Sequence, residues 1–240
     1  MIRLDNVVKR FGRVTAVDGL SLEVPAGEFF VFLGPNGAGK TTTIKLIAGL
    51  LRPTSGRVLL GGFDVQADSI RARSIISYVP DQPFLYEKLT GREFMWFVGR
   101  MYGMEDGTIR REVDRMADVF ELHDFLDEMG QTYSHGMKQR VVVGAALLHD
   151  PKVLVIDEPL VGLDPKGANT LKNLLRDLTA GGVAVFMSTH TLAVAEETAD
   201  RVGIIRRGSL IALGTLEEIY AAAQTDSRLE DAFLRLTEES

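Results

Sequence analysis

Phe29-Phe30-Val31-Phe32-Leu33 runs straight into Gly34-Pro35-Asn36-Gly37-Ala38-Gly39-Lys40-Thr41-Thr42. The first five residues have the length and composition of a buried strand, and the segment from Thr41 to Leu50 has the spacing of an amphipathic helix. Between them the pattern G-x-x-x-x-G-K-[ST] occupies the strand-to-helix junction, where it binds phosphate. Glycines there let backbone N–H groups point inward at phosphate oxygens, and the following helix offers its positive end. Lys40 is suited to neutralise β- and γ-phosphates, and Thr41 to set its hydroxyl on a magnesium ion. A glycine-rich turn that merely preceded a helix would not require strand, lysine and hydroxyl in this order. The stretch predicts a nucleoside triphosphate site, but kinases, GTPases, helicases and transport ATPases share the loop, so the reaction stays open.

The chain has 240 residues, 45% of them hydrophobic, enough for one α/β domain with a satellite subdomain and short for two nucleotide-binding domains. Cysteine is absent, which excludes disulfides, thiolate metal sites and cysteine nucleophiles and suits a reducing compartment. A formal charge of −6 argues against broad nucleic-acid binding. Apolar runs such as Phe29–Leu33 and Val141–Leu148 fall short of the ~20 residues that span a bilayer, and no cleavable signal heads the chain. The expectation is a protein that is soluble and cytoplasmic by itself.

Ile2–Val8 and Leu20–Val24 read as antiparallel strands ahead of the loop, with Pro25-Ala26-Gly27 as the turn between the second strand and Phe29. Phe11, in a Gly-containing loop between them, offers a ring on which adenine could stack, although a single Phe is more often packing. A helix Lys40–Leu50 is expected to end at Pro53-Thr54-Ser55-Gly56, before a strand Arg57–Leu60 and a turn Gly61-Gly62-Phe63-Asp64. Ile75–Val79 is a further strand, and it delivers Asp81-Gln82-Pro83, where the proline leaves Gln82 on a loop.

From Leu89 to Leu126 the pattern turns helical, with Thr90-x-x-Glu93 as a capping box. Ile109, Val113, Met116, Ala117 and Phe120 form one stripe of a second helix, which reads as core. Tyr133-Ser134-His135-Gly136-Met137-Lys138-Gln139-Arg140 then opens a helix whose body, Val141 to Leu148, is apolar on nearly every side. Lys138 and Arg140 in its first turn have the wrong sign for a helix N-terminus. Either they pair with carboxylates or solvent, or an anion arrives at that end.

Val153–Ile156 is a continuous apolar strand that ends in Asp157-Glu158-Pro159. Adjacent acids at the C-terminal end of a buried strand alternate in direction and can hold different jobs: Asp157 for magnesium through water, Glu158 for the attacking water. Gly162-Leu163-Asp164-Pro165 leads into a helix with Ala168, Leu171, Leu174, Leu175 and Leu178 inward. Val183–Met187 ends in Ser188-Thr189-His190, at the same sheet edge as the acids, within reach of a γ-phosphate. A helix through Glu197, a hairpin (Val202–Ile205 and Leu210–Leu213) and two helices capped by Thr215-x-x-Glu218 and Ser227-x-x-Glu230 close the chain.

This set, in this order, resembles the ATP-binding subunit of ATP-binding-cassette (ABC) transporters over essentially the whole chain. The residues that carry it are Phe11, the loop Gly34–Thr42, Gln82, a helical insert, the signature Ser134–Gln139, Asp157-Glu158, Asp164 and His190. The resemblance implies one α/β domain over residues 1–240. Its P-loop NTPase core has a mixed, largely parallel sheet, with an N-terminal antiparallel β-subdomain, an inserted helical subdomain at about 84–148 and a C-terminal hairpin and helices over 201–240. It implies ATP and Mg2+ as cofactors, with Phe11 on adenine, Lys40 and the loop from Gly34 through Pro35, Asn36, Gly37, Ala38 and Gly39 to Thr41 and Thr42 on phosphates, and Thr41, Gln82 and Asp157 arranging metal and water. Glu158 looks like the general base and His190 like the γ-phosphate sensor, with Lys40 and Gln82 assisting. Ser134 and Gly136 match a signature that meets ATP held by a second nucleotide-binding subunit, identical or related, and Asp164 belongs to the same shared site.

The usual Leu-Ser-Gly-Gly-Gln is here Tyr133-Ser134-His135-Gly136-Met137. That variant, with the ending Leu229-Glu230-Asp231-Ala232-Phe233-Leu234, is similar to the branch that drives exporters of the second ABC export type. The resemblance implies an ATPase that powers transport through an integral membrane permease subunit, held peripherally on the cytoplasmic face of the membrane, with no nucleic acid. The alternative is a soluble ABC-type ATPase acting on ribosome or DNA, but such proteins commonly fuse two cassettes or insert a long coiled coil, and this chain has neither. A GTPase would need a guanine-reading Asn-Lys-x-Asp, which is missing too.

Overall fold

The computed structural model describes residues 1–225 and 228–238. β1 (Ile2–Phe11) and β2 (Val14–Val24) form a long hairpin in which Phe11 stands opposite Val14. β3 (Phe29–Leu33) passes through the glycine loop into α1 (Lys40–Ile47). β4 (Ser55–Leu60) and β5 (Phe63–Asp64) return to β1 and complete an antiparallel sheet in the order β2-β1-β4-β5. α2 (Ser69–Ser74) and β6 (Ile76–Val79) follow, then α3 (Gly91–Met101), α4 (Asp106–Val119) and α5 (His135–Leu147). The chain re-enters the core through β7 (Val153–Asp157), α6 (Pro165–Ala180), β8 (Ala184–Thr189), α7 (Leu192–Thr198) and β9 (Arg201–Arg206). β10 (Ser209–Gly214), α8 (Leu216–Ala222) and α9 (Leu229–Glu238) end it.

The core sheet has the order β10-β9-β3-β8-β7-β6, parallel throughout except for β10. Its central strands are buried at every position and apolar up to their C-terminal ends, because both faces are covered. β3 sends Phe29, Val31 and Leu33 into a core shared with α3 to α9, and Phe30 and Phe32 into a second core shared with the antiparallel sheet and α1. β8 divides likewise, and Phe186 closes against Phe30 and Phe32 with ring centroids 5.3 and 5.4 Å away. The alternation of β-strand side chains thus builds two cores from one unbroken apolar run. Among the described residues no helix is long and apolar enough to cross a membrane.

Four local expectations need correction. α1 stops at Ile47, before Leu50, because Gly49 (φ 68°) forms a left-handed cap: Leu50 N–H donates to Lys45 O and Gly49 N–H to Leu46 O. That paired arrangement ends a helix without help from a proline, and Ser55-Gly56 already belong to β4. β1 continues to Phe11, so this residue ends a strand and does not lie in a loop. Arg140 lies beyond the first turn of α5, which begins at His135. Its Nη1 donates to Phe120 O at 3.2 Å, where a cation suits the C-terminal end of α4, and its guanidinium lies 5.1 Å from the Phe125 ring centre. The capping boxes at Thr90 and Thr215 form as read, and the one expected at Ser227 lies outside the described residues.

His149, just past α5, stacks on Tyr102 with ring centroids 3.5 Å apart and 10° between planes. Burial pushes its pKa from 6.5 down to about 4. An unfolded chain therefore binds this proton at a pH where the folded one does not, so stability is complete above the ordinary value and falls as pH drops toward the folded one. Because the ring is only partly shielded from solvent, the loss amounts to about 1–2 kcal/mol. Urea unfolding of the parent and of His149→Phe should diverge by roughly that much between about pH 7 and about pH 4. Parallel profiles would refute a neutral buried ring.

Candidate nucleotide site

Strand order brings the functional residues together. β8 lies between β3 and β7, with Leu33 level with Thr189 and Asp157 level with Ser188. The segments leaving the C-terminal ends of these strands are the glycine loop, the acidic pair and Thr189-His190, and they converge where open α/β sheets bind ligands. They enclose a cavity of about 320 Å³. The loop residues Asn36, Gly37 and Gly39 to Thr42 form one wall, and Asp81, Asp157, Glu158 and His190 the other, with Ala16 of β2 also in the lining.

Gly39 (φ 112°) is the N-cap of α1, and a Cβ there would fall 2.4 Å from Ala16 O, so only glycine fits between loop and hairpin. Gly34 and Ala38 are buried beneath the loop, where Ala38 N–H donates to Pro35 O at 3.1 Å. Lys40 is only 8% exposed, and its Nζ donates to Gly34 O at 2.6 Å and Pro35 O at 3.2 Å. Burial lowers its pKa, opposed by the negative charges of Glu158 and Asp157.

Asp157 is 2% exposed. Its Oδ2 accepts from Thr41 Oγ1 at 3.2 Å and its Oδ1 from Ser188 Oγ. Burial raises its pKa, the two hydroxyls resist that, and the charges of Asp81 and Glu158 add to it. Glu158 departs from the strand with left-handed backbone (φ 47°), which turns its side chain away from that of Asp157. Its Oε2 accepts from Thr189 Oγ1 at 3.1 Å, and its Oε1 lies 2.7 Å from His190 Nδ1. The two carboxylates thus occupy different settings, one buried under hydroxyls and one at the cavity wall beside an imidazole.

Magnesium takes oxygen donors, usually one or two carboxylates completed by substrate phosphates and water. Thr41 Oγ1 and Asp157 Oδ2, adjacent at the cavity wall, are donors of that kind. Among the described residues no group of three or more His, Cys, Asp or Glu is placed to hold a metal ion.

Other expected residues stand apart from the cavity. Gln82 is exposed and outside the wall, and its neighbour Asp81 lines it instead, with Oδ1 accepting the Gln82 N–H at 2.8 Å. Phe11, 48% exposed, lies outside the wall beneath Lys9 Nζ, 4.9 Å from the ring centre. Ser134, Gly136 and Asp164 also lie outside the cavity wall, on two loops that touch each other. Ser134 caps α5, accepting from Met137 N–H at 3.2 Å, and Asp164 caps α6, accepting from Gly167 N–H at 3.0 Å. A Cβ on Gly136 would fall 3.0 Å from Gly162 O, so the two loops touch. Sequence reasoning missed Asp81, Ala16, Ser188 and Thr189. The alternating direction of a strand end could have found the pair Ser188 and Thr189, which bond Asp157 and Glu158 respectively.

The ABC transporter family pattern matches residues 17–161, from β2 to just past the acidic pair. The linearmycin resistance ATP-binding protein LnrL of Bacillus subtilis is 36% identical over 230 residues, covering 96% of this chain and 74% of its own length. The daunorubicin/doxorubicin resistance ATP-binding protein DrrA of Streptomyces peucetius is 38% identical over 234 residues, covering 96% and 71%. A structure described as the ATP-binding subunit of an ABC transporter superposes with a TM-score of 0.93 at 30% identity, over 98% of this chain and 99% of that one. A bacterial ABC transporter cassette solved as a dimer gives 0.83 at 27% identity, over 90% and 99%. The chain belongs to the ABC transporter family and has the fold of its ATPase cassettes.

Proposed function

We propose that two such chains, identical or closely related, close head to tail around two ATP molecules, hydrolyse them, and so drive export through a separate integral membrane permease. The observation that carries this reading is the division of the site: phosphate loop, acids and His190 line one cavity, whereas Ser134 and Asp164 are exposed outside it on loops that touch where Gly136 approaches Gly162 O. A second chain related by a twofold axis would supply each missing half. The solved dimer of a related cassette supports the same arrangement.

In each composite site the loop amides and Lys40 bind the β- and γ-phosphates, and Phe11 stacks on adenine as the hairpin closes. Thr41 and Asp157, joined by Gln82 from its loop, would hold Mg2+, which when bound neutralises developing phosphate charge. Glu158 orients the attacking water and takes its proton on a carboxylate oxygen. His190, fixed by its bond to Glu158, donates toward the γ-phosphate. Ser134 and Gly136 of the opposite chain close over that phosphate and exclude water.

The permease reading draws on the surface near Gln82. Phe84, Tyr86 and Phe97 are exposed and stack edge to face, with centroids 5.3 and 5.6 Å from Tyr86. Phe84 also lines an apolar groove of about 580 Å³ together with Leu50, Met101 and Tyr102. Exposed aromatics beside a groove suit a protein partner. The names of the two resistance ATP-binding proteins favour export, and the charge of −6 disfavours ribosome or DNA. The full chain, expressed in its own cell and recovered in mild detergent, should carry an integral membrane protein at the cytoplasmic face and release it when Phe84 and Phe97 are replaced by Asp. Recovery with ribosomes or DNA instead would overturn the transport reading.

A further inference from the structure

α5 is packed on nearly every side, yet its buried set includes an amide: Gln139 is 1% exposed. Nε2 donates to Pro159 O at 3.2 Å, while Oε1, equally buried, has no hydrogen-bond partner. An unpaired amide oxygen in the interior destabilises the fold, and an apolar side chain of the same shape would pack α5 without that penalty. Packing therefore does not account for Gln139. What its donor holds does.

Pro159 directly follows Glu158. From the sheet side the glutamate is held by its own N–H on Ser188 O at 3.0 Å, by Thr189 and by His190. From the helix side Gln139 holds the turn through Pro159 O, and the turn closes with Val161 N–H on Glu158 O at 3.3 Å. The same helix begins at exposed Ser134, and His135 lies so close to the loop that a Cβ on Gly162 would fall 2.3 Å from its Cδ2. The first turns of α5 thus grip the segment from Glu158 to Asp164 at two points.

We propose that Gln139 is a positioning residue for Glu158: by holding the Pro159 carbonyl it fixes the turn that aims the carboxylate into the cavity. Standing little more than one helical turn beyond Ser134, it also passes the docking of that turn on a partner's nucleotide to the carboxylate of its own chain. This rests on the composite-site reading above.

Gln139→Met tests it, since methionine keeps the length and removes the amide donor and the unpaired oxygen together. Turnover at saturating ATP should fall about tenfold, with the Kd for ATP within about twofold of the parent. The melting temperature should be equal or higher, which a merely structural role would not produce. Full turnover in Gln139→Met overturns the inference alone, as does a loss that comes with a lowered melting temperature. A mixture of Lys40→Ala and Ser134→Arg chains that recovers no activity overturns the composite-site reading and the relay from Ser134 with it, while the positioning of Glu158 is still judged by Gln139→Met.

Discussion

A Glu158→Gln chain is expected to turn ATP over about a thousandfold more slowly than the parent, a loss in the range of a removed general base. It should still bind ATP. The amide keeps the size of the carboxylate and can satisfy Thr189 and His190, whose contacts at 3.1 and 2.7 Å hold the side chain in the cavity wall. What it lacks is a basic lone pair for the proton of water. On the proposed cycle, in which bound ATP closes the dimer and hydrolysis reopens it, the variant should accumulate as an ATP-dependent dimer on size exclusion, dissociating when the nucleotide is removed. Near-parent turnover would show that Glu158 is not the base. Loss of ATP binding would show that the substitution had damaged the pocket instead.

The contrast with Asp157 explains why the two neighbouring acids are not interchangeable. Asp157 sits under the hydroxyls of Ser188 and Thr41 with almost no solvent, a setting for a fixed ligand. Glu158 is released from the strand by a left-handed residue, so its oxygens meet the cavity. That separation was legible in outline from Asp157-Glu158 at the end of an apolar strand, since strand side chains alternate. The phosphate loop was equally legible, because its chemistry is written in contiguous residues. Less legible were features set by tertiary approach. Gln82 and Asp81 are neighbours, and which of them faces the cavity depends on the backbone before Pro83, which no periodicity encodes. Phe11 read as a loop residue because Gly12 follows it, whereas cross-strand pairing with Val14 carries β1 to that point. Arg140 read as a first-turn cation left to a carboxylate, solvent or an arriving anion, because its acceptor, Phe120 O, is distant in sequence. The buried tie between Gln139 and Pro159 has the same cause.

The division of the site makes a sharper demand. Lys40→Ala removes the charge at the phosphate loop, and Ser134→Arg places a bulky cation at the cap of α5. Each chain alone should hydrolyse ATP at no more than about 1% of the parent rate, the scale of a lost electrostatic clamp. Losing the Ser134 cap, which accepts from Met137 N–H at 3.2 Å, costs about 1 kcal/mol, so the variant should stay folded. Mixed in equal amounts, the two variants pair at random and half the dimers are hybrids. In a hybrid one site joins two damaged halves, while the other joins the intact loop of the Ser134→Arg chain to the intact Ser134 of its partner. Activity should therefore return on mixing to as much as about a quarter of the parent rate, as twofold symmetry requires of two independent shared sites. A site built within one chain allows no such recovery, because each variant would carry its own defect into every dimer. A mixture no more active than its components would return Ser134 to the role of a helix cap and nothing more.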